Sequence, residues 1–390
     1  MHKGDILVNN GILYIFASPD VYQMFSNMAG SSTFSGKSVL KYLLWTIVAV
    51  LFVVVMAVGI MFGPLYKAAS SIEKLEDGVY YFEFKGDDGM AKFLENGGAA
   101  SSGEMVPFIT DFLSKGFGPK MAAAPASQDY GCSTLRATTA DGAVLMGRNF
   151  DWSQALCLIA HVKPKGGYEY ISTFDGNLFG FGEGWKPEGM PNQFMALASI
   201  FAALDGVNEK GLAIADLTAG DREETHQDTG KPDLTTTTAL KYMLSRAADI
   251  DEAVALLGTI DMHSDVGYAH HYSMTDASGR SVVVEYVDNE IVVTETRVVA
   301  NHYLCSAKYL AGKYPNDLRQ ETLEDAFDRK GGIMDEKELF EAMKLAWQYG
   351  SDNDSFRGTQ WTEVFNLSEP SLTLCWNRDE SKIHKFGMEK

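Results

Sequence analysis

Residues Tyr130–Trp152 read YGCSTLRATTADGAVLMGRNFDW. Two runs of strand-forming residues, CSTLRAT and AVLMGRN, flank an Asp141-Gly142 pair. Asp-Gly between two such runs is the strongest short-range hairpin signal a chain offers. A two-residue loop there sets positions summing to 283 opposite one another, which puts Cys132 across from Asp151. From pattern alone the stretch is either a half-buried hairpin with a core cysteine or a reactive sulfur placed beside a carboxylate. Positions 148 and 151 point to opposite faces of a regular strand, so the second strand is expected to end or bulge between them if both are to reach the sulfur.

Working outward, the upstream stretch GFGPKMAAAPASQDYG is rich in Gly, Ala, Pro and Ser, the composition of an exposed, cleavable linker, and it ends at Gly131. Downstream, Leu156–Val162 and Tyr168–Phe174 read as strands, followed by a Gly- and aromatic-rich loop, GNLFGFGEGWKPEGMPNQF, suited to lining an apolar pocket. Asp205-Gly-Val-Asn-Glu-Lys-Gly-Leu is a tight turn with Asn and Gly in left-handed conformations, feeding the strand LAIADL. Thr235–Ala248 and Ile250–Ile260 are amphipathic helices, the first with a threonine cap. Tyr272–Met274, Ser281–Val287 and Glu290–Val299 are strands, and Asn301 stands at the end of that run. A helix over Met334–Trp347 and a closing hairpin, TQWTEVFNL and SLTLCWN, complete the pattern.

Arg148 and Asp151 follow Cys132 by 16 and 19 positions. With those spacings, the Asp-Gly hairpin and the DGVNEKGL turn, the chain from about Gly131 to Lys390 resembles the choloylglycine hydrolase and penicillin V acylase family. These are N-terminal-nucleophile hydrolases of linear amide C–N bonds, with acid ceramidase-type enzymes as relatives. The resemblance implies an α+β fold, the four-layer αββα sandwich; the sequence ahead of it is expected to add one transmembrane helix. It also implies that Cys132 becomes the first residue of the mature enzyme, with Arg148 and Asp151 beside it. Asn301 takes the place of an oxyanion donor, and Arg319 that of a second active-site arginine. Thr218, ten positions after Asn208, stands where relatives carry Asn or Tyr to hold the substrate carbonyl. That departure argues against bile salts and penicillin V themselves as substrates. No cofactor or metal is implied.

The chemistry requires such neighbours. A free thiol with a pKa near ~8.5 is mostly protonated at neutral pH and needs a base. An α-amine of pKa about 7.7–8.0 created on the nucleophile's own residue can serve. Asp151 would orient that amine, and Arg148 would favour the thiolate. A papain-like Cys/His hydrolase and a non-enzymatic extracytoplasmic binding domain on the same fold are the alternative readings. No papain-type cysteine signature is present.

The whole chain sets the outer bounds. Hydrophobic residues make up 46%, and 52 acidic against 33 basic residues give a net charge of −19, which disfavours nucleic acid and anionic lipid as partners. Cys132, Cys157, Cys305 and Cys375 are too few for a disulfide scaffold and match no zinc spacing; His263, His270 and His271 fit no metal set either. Tyr42–Gly63 is a run of 22 residues without a charge, long enough to span a bilayer. Expected divisions are therefore a tail over 1–41, a membrane anchor over 42–63, a pro-segment or small subunit with linker over 64–131, and the hydrolase domain over 132–390. Lys37 and Lys41 lie nearest the span and place the N-terminal end inside, the catalytic part outside the cytoplasm. The expected molecule is a membrane-anchored cysteine amidase, cleaved before Cys132, acting on small N-acyl amides.

Overall fold

The computed structural model describes residues 36–116, 131–181, 184–220, 224–264, 269–305, 318–350 and 357–388. The tail before residue 36, most of the linker ahead of Gly131, and the stretch between Cys305 and Leu318 lie outside them. Helix α1 (Gly36–Ser70) extends the uncharged span at both ends. Its Leu40–Ser70 portion, whose most apolar 18-residue window has mean hydropathy 2.9, is long and apolar enough to cross a membrane. The chain divides into two units, Met1–Met61 and Phe62–Lys390.

In the second unit, strands β1 (Glu73–Glu76) and β2 (Val79–Gly86) precede helices α2 (Met90–Glu95) and α3 (Ser102–Ser114). The hairpin β3 (Gly131–Thr138) and β4 (Val144–Trp152) comes next, then β5 (Cys157–Pro164) and β6 (Tyr170–Asp175). Helix α4 (Met190–Ala196) leads to β7 (Asp205–Asn208), β8 (Ala213–Thr218) and β9 (Asp233–Thr235). Helices α5 (Thr236–Arg246) and α6 (Ile250–Leu257) are followed by β10 (Asp261–His263), β11 (His270–Thr275), β12 (Ser281–Val287), β13 (Glu290–Glu295) and β14 (Val298–Val299). Helices α7 (Arg319–Lys330) and α8 (Glu336–Lys344) and strands β15 (Gly358–Asn366), β16 (Ser371–Trp376) and β17 (Ile383–Gly387) close the chain.

Two large sheets result. One has nine strands in the order β1-β2-β5-β6-β7-β8-β11-β12-β13, the other six in the order β14-β3-β4-β15-β16-β17. Alternation along each strand gives each sheet two apolar faces, and three core clusters follow from that. Cys132, Met146, Phe150 and Trp361 of the smaller sheet pack with Ile159, Ile171, Val207 and Leu217 of the larger. The other face of the larger sheet buries Phe82, Phe84, Ile214 and Tyr272 with Phe93, Met105, Leu240 and Ile250 of its helices. Leu135, Leu145 and Val364, on the other face of the smaller sheet, pack against Leu323 of α7 and Leu339 and Met343 of α8.

The segment before the hairpin is woven into this core. Strand β2 pairs in parallel with β5 from Val79–Cys157 through to Gly86–Pro164. Lys241 Nζ of α5 lies 2.6 Å from Asp88 Oδ2, both side chains buried. A buried ion pair resists loss of either partner, because the other would be left uncompensated in the interior.

Local details correct three expectations. The hairpin loop has three residues: Gly142 donates to the Thr139 carbonyl and takes φ 94, and Thr139 N pairs with Ala143 O. A left-handed glycine after a turn adds one residue to the loop. The register therefore pairs Cys132 with Phe150 and Gly131 with Asp151. In the DGVNEKGL turn Gly211 alone is left-handed, at φ 80. Asn208 stays in strand conformation because its side chain bridges the turn, donating to Leu244 O and Ala247 O and accepting from Lys210 N and Leu212 N. Thr235 precedes α5 without a side-chain cap bond. Its hydroxyl donates instead to Thr238 Oγ1 at 3.1 Å.

Candidate active site

Strand β4 runs unbroken through Arg148 and Asp151. The expected break between them is absent; the irregularity lies across the ladder, on β15 between Thr359 and Trp361. Arg148 and Asp151 therefore occupy opposite faces and reach Cys132 by different routes. Cys132, Arg148 and Phe150 share the face between the sheets, where the Arg148 guanidinium lies 4.8 Å from the Phe150 ring centroid. Asp151 shares its face with Gly131. A β-carbon on Gly131 would meet Arg319 Nη1 at 2.8 Å and Asp151 Oδ2 at 3.2 Å.

Two of the expected residues, Asn301 and Arg319, hold the Cys132 backbone, and Thr218 and Asp151 in turn bind their side chains. The Cys132 amide N–H donates to Asn301 Oδ1 at 2.7 Å, and its carbonyl accepts from Arg319 Nη1 at 3.2 Å. Arg319 Nη1 also reaches Asp151 Oδ2 at 2.6 Å, and Nη2 donates to Asn301 Oδ1 at 2.8 Å. Arg319 is thus no surface charge: it opens α7 with its side chain buried inward. Thr359 Oγ1 donates to the other oxygen of Asp151 at 2.6 Å. Asn301 Nδ2 donates to both the carbonyl and the hydroxyl of Thr218, each at 2.8 Å. The Asn301 amide nitrogen is therefore engaged by Thr218, while its oxygen accepts from the Cys132 nitrogen.

The sulfur itself is sealed. Cys132 is 0% exposed, and burial pushes its thiol up to about 12, with Arg148 and then Arg319 opposing that rise. Its Sγ approaches the Asp216 carbonyl at 4.0 Å. Burial also raises the Asp151 carboxyl, with Arg319 working in the opposite direction. The neighbouring histidines are engaged elsewhere: His270 Nδ1 lies 2.9 Å from Asp216 Oδ1, and His271 Nδ1 lies 3.3 Å from Glu285 Oε1.

Residues 132–315 match the family model described as linear amide C–N hydrolases, choloylglycine hydrolase family. Over that segment the chain is similar to the choloylglycine hydrolase family. Penicillin V acylase from Pectobacterium atrosepticum is 34% identical over 103 residues, 24% of this chain and 27% of that protein. The chain thus spans about a quarter of the length of that curated relative. A variant of conjugated bile acid hydrolase from Clostridium perfringens superimposes with TM-score 0.50 at 16% identity, covering 66% of this chain and 92% of its own. The choloylglycine hydrolase likeness therefore extends to the fold.

Several buried polar residues around this site escaped the sequence reading. Asp205, taken above as part of a turn, lies 2.7 Å from the Arg148 Nε. Glu363 faces Arg148 directly in the β4–β15 pairing. A lone carboxylate inside the otherwise apolar run WTEVF was the available signal, since a charge in a central strand needs a partner.

Proposed function

We propose that this protein is a cysteine amidase that hydrolyses the linear amide C–N bond of small N-acyl compounds after cleaving itself before Cys132. The two sheets with helices against their outer faces are read as the αββα sandwich of N-terminal-nucleophile hydrolases. The observation that carries the proposal is the clamp on the Gly131–Cys132 junction: Asn301 Oδ1 on the Cys132 nitrogen and Arg319 on its carbonyl. In self-processing the Cys132 sulfur attacks the Gly131 carbonyl carbon, and the Gly131–Cys132 amide gives way to a thioester. Water hydrolyses the thioester and leaves a free α-amine on Cys132.

That amine already has its acceptor in Asn301, so the nitrogen lone pair is free to take the thiol proton. A base of pKa about 7.7–8.0 is matched to work near neutral pH. Departure of Gly131 opens the space against Arg319 and Asp151, and an acyl amide enters in its place. The terminal nitrogens of Arg148 have no acceptor among the described residues and are available to the thiolate. Asn301 Nδ2, shared with Thr218, is the donor proposed for the oxyanion. A Cys/His dyad is disfavoured because the sulfur's partner is the Asp216 carbonyl rather than an imidazole.

Residues 64–131 are proposed to remain as a small subunit, on the strength of the β2–β5 pairing and the Lys241–Asp88 ion pair. Helix α1 is proposed as a single-pass anchor, with the catalytic part outside the cytoplasm. The test of activity is a panel of N-acyl amides differing in acyl chain and amine, assayed with purified wild type and Cys132→Ala. Hydrolysis lost in the variant supports the reading; equal turnover by both proteins rejects it.

A further inference from the structure

We propose that Asp205 and Glu363 are positioning residues that share one proton and together hold the Arg148 guanidinium toward the Cys132 sulfur. This deepens the reading of Cys132 as nucleophile and rests on it. Arg148, Asp205 and Glu363 are each 0% exposed, sandwiched between the two sheets. Glu363 faces Arg148 from the adjacent strand of the smaller sheet, and Asp205 reaches across from β7 of the larger one, its Oδ2 2.7 Å from Arg148 Nε. Asp205 also accepts from Thr173 Oγ1, and from Trp361 Nε1 at 3.3 Å. The guanidinium is stacked over Phe150 at 4.8 Å and Trp361 at 5.7 Å.

The Glu363 carboxyl lies against the Asp205 carboxyl and the Thr173 hydroxyl. Two ionised carboxylates against one guanidinium would leave an uncompensated negative charge in a dry site, which is costly. A proton on Glu363 removes that charge and makes the carboxyl a donor to Asp205. Burial, together with the Asp205 charge, holds the Glu363 proton well above the usual carboxylate range. The other ionisable groups acting on the cluster are Cys132, Asp151 and Cys157, whose own thiol is raised by burial. Arg148 is the cation that acts most strongly on the Cys132 sulfur, so whatever fixes its charge and place fixes the thiolate.

The tests use the processed wild-type protein, Asp205→Asn, Glu363→Gln and the double variant. The infrared difference spectrum between wild type and Glu363→Gln should contain the C=O stretch of a buried carboxylic acid, a readout independent of activity. In Asp205→Asn, Glu363 should ionise and take over as the counter-charge, so kcat should fall by less than about tenfold. In the double variant kcat should fall by more than 10²-fold beyond the product of the single effects, while iodoacetamide alkylation of Cys132 moves to higher pH, because Arg148 is no longer held against the sulfur. A merely structural role would not raise the thiol titration while lowering the turnover. Absence of the acid band, or a double variant equal to the product of the singles, overturns the proposal. If the double variant does not fold, the infrared comparison alone decides. Retained turnover in Cys132→Ala with the acid band present would instead reject the nucleophile and leave the carboxyl pair standing.

Discussion

Asp175 carries a titration that the fold itself imposes. Its carboxyl is fully buried at the end of β6, and burial pushes it up to about 7 despite backbone N–H donors from Leu156 and Asn177. The folded state therefore binds a proton that the unfolded state, at an ordinary 3.8, has already lost. Stability contributed by that proton is present below the unfolded value and is lost as pH rises toward 7. Thermal melts of Asp175→Asn should show a flatter dependence between pH 4 and 7 than wild type; an identical slope contradicts the assignment. At the cleavage junction, Gly131→Val should slow processing at least tenfold, since its β-carbon would displace Arg319 and crowd Asp151; unchanged processing on a denaturing gel contradicts it. Asn301→Ala should lower kcat on an amide substrate by about 10²–10³, the usual cost of one oxyanion donor, and a change under threefold excludes that role. The six candidate residues were legible through motif and spacing. The way they meet was not, because Arg319 and Thr218 are joined through Asn301 by side-chain contacts that no local pattern encodes.

The hairpin shows how far local signals reach. Asp141-Gly142 marks the turn correctly, yet the choice between two and three loop residues depends on Gly142 adopting φ 94 and on Thr139 bonding across the loop. One residue of loop changes every cross-strand partner, which is why Phe150 and not Asp151 lies opposite Cys132. Strands and helices with strong periodicity were found close to their bounds, as with the helix expected over Met334–Trp347, which spans Glu336–Lys344 behind an Asp335 capping box. Long-range pairing was invisible: nothing in VYYFEFK announces a parallel partnership with CLIAHVKP. That partnership bears on processing. After cleavage the two fragments should co-elute under native conditions and separate only in denaturant. Loss of the upstream fragment on native size exclusion would show that the strand pairing does not hold them together.

For the molecule as a whole, the uncharged run of α1 was plain in the sequence, and the protein should sediment with membranes until detergent is added. Full recovery of intact chain in the soluble fraction contradicts the anchor. The acidic balance of −19 leaves the catalytic part without a general attraction for anionic surfaces, so membrane attachment should rest on the helix and be insensitive to salt. Beyond these, the proposed activity rests on one event, the release of an α-amine on Cys132, since burial pushes the thiol up to about 12 and its contact among the described residues is the Asp216 carbonyl, not a base. N-terminal sequencing and intact mass of an actively hydrolysing preparation, beside Cys132→Ala, address it directly. A fragment beginning at Cys132 in the wild type and an uncut, inactive chain in the variant are expected. Full activity in a preparation whose Gly131–Cys132 bond is intact would contradict the account.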